Sequence, residues 1–162
     1  MKESGKLYDE YMELVADIIL SPEIQRLENY DQHMGTSRLM HSINVSYDSY
    51  VLARFLGWNA EAAARAGLMH DMFYYNFRDV GYTAREHCRE HPRIALENAS
   101  RRFELTELEK DIIRAHMWLT TRTWPRYKES YLVTLVDKYC ALEEFFRGLR
   151  RKIHKRKRRS LT

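Results

Sequence analysis

An all-α bundle of about six to seven helices is the fold class that the sequence predicts. Three observations carry that expectation. Apolar residues recur at intervals of three and four, no Val/Ile/Thr/aromatic run alternates with period two, and only 3 Pro and 6 Gly interrupt the 162 residues. With 44% apolar and 31% charged residues, the chain has the composition of one globular domain, long enough to bury a single core.

The elements follow in order. Leu7, Tyr11, Leu14, Val15 and Ile18 share one face of a first helix. Ser21-Pro22 supplies an N-cap and a first-turn proline for a second helix running towards Tyr30. His33-Met34-Gly35-Thr36-Ser37 reads as loop and cap, and a longer helix is expected from about Ser37 to Leu56, ended by Gly57. Asn59 caps the alanine-rich stretch that ends at His70-Asp71. Residues 72–86 read as an irregular connection, with helix resuming near His91 and Pro92 at its first turn. Thr106-Glu107-Leu108-Glu109 forms a capping box for a helix through Ile112, Ile113 and His116, and Trp124-Pro125 breaks that pattern. A last helix starts near Lys128 and is expected to dissolve into basic residues. No internal repeat and no second core are visible, so residues 1–146 are read as the domain and 147–162 as a basic tail.

The charge is unevenly placed. Nine of the 27 Lys and Arg lie between Arg147 and Arg159, and no Asp or Glu follows Glu144. Residues 1–146 therefore carry 18 bases against 23 acids, a net of −5. A body of that sign is a poor general nucleic-acid binder, so any polyanion contact falls to the tail, and a solvated end is the favoured reading of it. Cys88 and Cys140 cannot build a disulfide framework or a four-thiolate zinc site. The first residues lack the pattern of a secretory signal and no window approaches a membrane span, so a cytoplasmic protein is expected.

Several polar residues stand where apolar ones are expected. His70 and Asp71 follow Ala66-Gly67-Leu68-Met69, and their side chains diverge by about 100° on a helix, so one metal could take both only at the helix end. Asp137 has Val133, Thr134, Cys140 and Ala141 as helical neighbours, where a lone carboxylate is costly unless paired or metal-bound. Lys138 points about 100° away and is not an obvious partner for it. His116 follows Ile112 and Ile113, and His41 precedes Ile43 and Val45. These residues fall on separate predicted helices, and a bundle can converge such groups on one site. Imidazole with carboxylate suits Mn, Fe, Ni, Co or Zn better than Ca, with Mg also open.

The order His41, His70-Asp71, Asp137, with the surrounding His41-Ser42-Ile43-Asn44-Val45, Ala66-Gly67-Leu68-Met69-His70-Asp71 and Val136-Asp137-Lys138-Tyr139-Cys140-Ala141, resembles the HD-domain superfamily of metal-dependent phosphohydrolases. Within it, the text is similar to a group of small bacterial single-domain HD hydrolases. The resemblance implies a helical core in which His41, His70, Asp71 and Asp137 hold one divalent metal. His91 and His116 stand where binuclear HD proteins place ligands for a second ion, with Asp71 as the bridge.

The same resemblance implies catalysis at Asp71 and His70, with a metal-activated hydroxide hydrolysing a phosphomonoester or phosphoanhydride, most plausibly in a nucleotide. His33, Arg38 and Arg93 are candidates to grip phosphate oxygens. His87 is read as substrate-side or structural. The cyclic-di-GMP branch is disfavoured because no Gly-Tyr-Pro signature is present. The alternatives are an HD-type di-iron oxygenase, which uses the same six ligands, and a non-catalytic helical module whose basic tail binds polyanions. The sequence does not determine oligomeric state.

Overall fold

The structure is a computed structural model that describes residues 2–33 and 35–159, with side chains described for residues 5–32 and 35–152. Among these are eight α-helices and one two-stranded sheet. They are α1 (Lys2–Ile19), α2 (Pro22–Gln25), a 3-10 turn (Arg26–Asn29), β1 (Asp31–His33), β2 (Thr36–Ser37), α3 (Arg38–Phe55), α4 (Ala60–Met69), α5 (Ala84–Arg102), α6 (Glu107–Ala115), α7 (Trp118–Thr121) and α8 (Lys128–Arg159). The all-α expectation holds.

The local signals act as the sequence suggests. Side chains of Ser21, Ser37, Asn59 and Thr106 each accept the N–H three residues on, which relieves one of the four unpaired donors at a helix start. At Thr106 the Glu109 carboxylate reaches back to complete a capping box.

Helix α4 is the centre of the bundle. Ala62, Ala63, Ala64, Ala66, Gly67, Leu68 and Met69 are all buried, and α1, α3, α6 and α8 pack around them. The core continues through Val15, Ile18, Val45, Ile112, Ile113 and Val133. Small residues let neighbours come close. A Cβ at Gly67 would lie 3.0 Å from the Ser46 Cα, so this glycine sets the approach of α4 to α3. Ser46 fills the contact as a relay, accepting from the Tyr11 hydroxyl at 3.0 Å and donating to the Ala64 carbonyl at 2.7 Å.

Three expectations need correction. Residues 31–37 are not wholly loop, because β1 and β2 pair antiparallel around Gly35, whose φ is +90°. Helix α5 starts at Ala84, not near His91, so Pro92 lies inside it. The overlooked signal is Thr83-Ala84-Arg85-Glu86, a capping box in which both reciprocal bonds form. Pro92 cannot donate to the carbonyl of Cys88, yet burial of His91, Pro92, Ala95 and Ala99 carries the helix past it. Helix α8 does not dissolve near residue 146 but runs to Arg159, since Lys and Arg are good helix formers.

Gly67→Ala should destabilise the fold by about 1–3 kcal/mol, because the backbone it strikes cannot swing aside. Urea unfolding followed by circular dichroism checks this, and a loss under about 0.5 kcal/mol would mean the two helices separate at little cost.

Candidate metal centre

Five elements deliver six side chains to one buried point. His41 comes from α3, His70 from the C-cap of α4, Asp71 from the residue after it, His91 from α5, His116 from the C-cap of α6, and Asp137 from α8. All six are at least nine-tenths buried. Three overlapping sets could hold a metal ion: His41, His70 and Asp71; His70, His116 and Asp137; and Asp71, His91 and His116. In each set the donor atoms lie within 4.8 Å of one another.

The rings are fixed by main-chain carbonyls. His70 Nδ1 donates to the Gly67 carbonyl at 2.7 Å, and His116 Nδ1 to the Ile113 carbonyl at 2.7 Å. Both contacts run from a helix C-cap to the residue three before it, where the last carbonyls of a helix lack intrahelical partners. His91 Nδ1 donates to the His87 carbonyl at 2.8 Å. A carbonyl only accepts, so each Nδ1 carries the proton and each Nε2 presents a bare lone pair.

Those lone pairs face each other and the Asp71 carboxylate. His91 Nε2 and His116 Nε2 are 2.9 Å apart, and they stand 3.4 and 3.6 Å from Asp71 Oδ1. His70 Nε2 is 3.5 Å from Asp71 Oδ2 and 3.8 Å from Asp137 Oδ1. Among the described residues, His70 Nε2 and Asp71 Oδ1 have no hydrogen-bond partner. Burial first, then neighbouring imidazoles, hold His91 and His116 below the usual histidine range, so a proton does not relieve the crowding. Converging lone pairs and carboxylate oxygens in a dry interior are repulsive without a cation, and the donor set fits a divalent metal.

His41 is held differently. Its Nε2 is 3.1 Å from Asp137 Oδ1 and its Nδ1 is 3.0 Å from Glu144 Oε2, with Asn44 Nδ2 donating to the other Glu144 oxygen at 3.0 Å. Burial acts to lower the His41 pKa, but hydrogen bonds to Asp137 and Glu144 carry it up to about 10. A carboxylate behind a ligand imidazole orients the ring and strengthens its donor atom. Glu144 is absent from the sequence expectations, although it lies two helical turns from Asp137 on the same face of α8.

Further residues support the two carboxylates. Gln32 Nε2 donates to Asp71 Oδ2, and Gln32 Oε1 accepts from Arg38 Nε at 2.9 Å. Arg38 is buried, stacked 3.6 Å over the Phe73 ring, and also donates to the Phe73 carbonyl at 2.7 Å. Its guanidinium is thus largely committed within the protein, and it orients Asp71 through Gln32. Lys138 Nζ donates to Asp137 Oδ2 at 2.6 Å, contrary to the sequence expectation, because four methylenes let the ammonium fold back across one position. Burial would raise the Asp137 carboxyl, but the hydrogen bond from His41 and the Lys138 ammonium hold it below the ordinary carboxylate range.

The other candidates are more dispersed. Arg93 is exposed and paired with Glu90 and Glu97 along α5. The His33 side chain lies outside the described residues. His87 stacks on Phe77 at 5.0 Å and 14°, and on His91 at 4.5 Å and 26°. Burial pushes His87 down to about 4, so it is neutral at physiological pH. Gln32, Arg38, Phe77 and His87 line a polar pocket of about 540 Å³ directly beside the cluster.

An all-α bundle with a buried shell of four imidazoles and two carboxylates has the kind of donor set with which helical proteins hold divalent metals at their centre. The family model of the HD domain matches residues 38–142, well over half of the chain, and the chain belongs to that family. HD domains bind divalent metals, and most are metal-dependent phosphohydrolases. No curated protein and no solved structure significantly matches the chain. No described helix is long and apolar enough to cross a membrane.

The His41 contacts set a pH dependence for the metal-free protein. A group whose pKa rises from 6.5 unfolded to about 10 folded contributes fully below pH 6.5 and loses that contribution as pH climbs to about 10. His91 and His116, lowered on folding, act oppositely and cost stability as pH falls below 6.5. Thermal unfolding after chelation should therefore show greatest stability near pH 6.5, and His41→Ala should flatten the alkaline limb. An alkaline limb unchanged in that variant would remove His41 as its source.

Proposed function

We propose that the chain is a metal-dependent phosphohydrolase acting on a phosphomonoester or phosphoanhydride, with a nucleotide as the substrate class. The observation that carries this reading is the convergence of the His70, His91 and His116 Nε2 lone pairs on Asp71, with His70 Nε2 and Asp71 Oδ1 left without hydrogen bonds among the described residues. His41, His70, Asp71 and Asp137 would hold one ion, and Asp71, His91 and His116 a second, with Asp71 shared. When bound, such ions polarise a phosphoryl oxygen and acidify a water so that it attacks at neutral pH.

The chain's own groups do the rest. The main-chain carbonyls of Gly67, His87 and Ile113 fix the histidine tautomers, and Glu144 fixes that of His41. Gln32, backed by Arg38, holds one Asp71 oxygen so that the other faces inward. Lys138, with its side chain 37% exposed, carries its ammonium from Asp137 to the edge of the site, where a phosphate oxygen can reach it. Phe77, one face of which packs on His87, lines the adjoining pocket, and its other face would be the surface on which a nucleobase stacks. Arg93 and the basic segment 147–162 take no part in this chemistry, and the segment forms a tail to the domain of residues 1–146.

Metal analysis of protein purified without chelator, followed by a phosphate-release screen over nucleotides with Mn, Mg, Co and Ni, tests the reading. Asp71→Ala should lose metal and turnover together with helix content preserved, and His116→Ala should lose about half of the metal if two ions are bound. Full metal content in Asp71→Ala would sink the assignment. Oxygen consumption coupled to turnover, with no phosphate released, would favour the oxygenase.

The supporting residues predict different signatures. Glu144→Ala should weaken metal affinity about 10–100-fold by isothermal titration. Lys138→Met should keep the metal and lose about 10–100-fold in kcat/KM, the worth of one charge-assisted hydrogen bond. Unchanged kinetics would leave Lys138 as a partner of Asp137 alone.

A further inference from the structure

Helix α8 carries an apolar seam that the body does not cover. Leu135, Tyr139, Leu142, Phe146 and Leu149 are spaced by four, three, four and three residues, the repeat that keeps one stripe on one side of a helix packed against another helix. Leu135 is 60% exposed, Tyr139 64%, Leu142 56%, Phe146 50% and Leu149 39%. From Phe145 to Lys152 every described residue except Gly148 is exposed.

The two halves of the seam differ in form. Its first half borders a groove between α3 and α8 of about 600 Å³, floored by Val51, Leu52, Leu132 and Val136. Its second half is a ridge with Phe146 and Leu149 projecting. Run antiparallel about a two-fold axis at Leu142, two copies set Leu142 against Leu142, Tyr139 against Phe146 and Leu135 against Leu149. Each ridge then enters the other copy's groove. A two-fold interface needs such self-complementarity.

Charge selects the same direction. A parallel pair would place two segments of nine positive charges side by side. The antiparallel pair carries each of them over a partner body of net −5. The area is adequate: half-exposed Leu and aromatic residues of the seam, with Leu52 and Phe55 at its border, offer on the order of 800 Å² per copy, as a stable interface requires. A flat lipid surface would meet the ridge but leave the groove unfilled.

We propose that this chain forms a two-fold homodimer through an antiparallel pairing of α8, with Phe146 and Leu149 of one copy seated in the α3–α8 groove of the other. This does not depend on the proposed hydrolysis.

Sedimentation of the full chain at micromolar concentration should give twice the chain mass of 19.5 kDa. Leu142→Glu and Phe146→Glu, which lie on the surface, should give monomers with unchanged circular dichroism and metal content. Direction is read with a short bismaleimide in a Cys88→Ser background. Leu142→Cys should cross-link to itself, and Leu135→Cys should cross-link to Leu149→Cys in a mixture but not to itself.

A monomeric wild type overturns the proposal, and if that monomer pellets with vesicles of anionic phospholipid the seam is a membrane-surface face instead. Self-linking of Leu135→Cys without the mixed product overturns the antiparallel geometry. A dimer that survives both glutamate substitutions places the interface elsewhere.

Discussion

Repulsion among inward-facing electron pairs is the constraint on which the centre of this protein depends. Three imidazoles present bare Nε2 atoms to one ionised carboxylate, and two of those nitrogens are 2.9 Å apart. Burial denies protons to His91 and His116, and no described side-chain donor reaches His70 Nε2 or Asp71 Oδ1. Buried positions arranged in this way form a donor set that could hold a divalent cation, in place of apolar packing alone.

The bundle accommodates the cost by giving the same groups structural work. His70 and His116 close the C-terminal ends of α4 and α6 through their Nδ1 protons, so an imidazole that faces the centre also satisfies a carbonyl its helix leaves unpaired. The C-terminal ends of both helices carry partial negative charge and point towards the same place, which favours a cation there. Gly67 serves twice, since its missing side chain seats α4 against Ser46 and its carbonyl fixes His70.

Helix α8 links the centre to the surface. Its inner face presents Asp137 and Glu144 on either side of His41, while Lys138 turns back from the next position to meet Asp137. Its outer face carries the uncovered Leu and aromatic seam. One helix thus braces the buried His41 ring, places the Lys138 ammonium beside Asp137 and leaves an apolar seam exposed. The Phe77, His87 and His91 stack similarly joins the pocket wall to the cluster, because His91 belongs to both.

The sequence by itself determined the helical class, most helix starts and five residues of the cluster, His41, His70, Asp71, His116 and Asp137, while His91 was implied only by the resemblance to HD domains. Caps such as Ser37, Asn59 and Thr106 act within three residues, and a histidine or aspartate on an apolar helical face is conspicuous because burying it alone is costly. The start of α5 was also legible, in Thr83 and Glu86, but Pro92 outweighed it when only local preference was considered. Tertiary structure alone decided the rest. Gln32 reaches Asp71 across 39 positions, and Arg38 commits its guanidinium to the Phe73 carbonyl across 35, contacts that no periodicity encodes. The backing of His41 by Glu144 spans 103 positions, and Lys138 meets Asp137 only because a long side chain can leave its helical direction. Local pattern fixes which face a residue takes, whereas its partner depends on how closely helices approach, and here that distance is set by small residues such as Gly67 packed against Ser46.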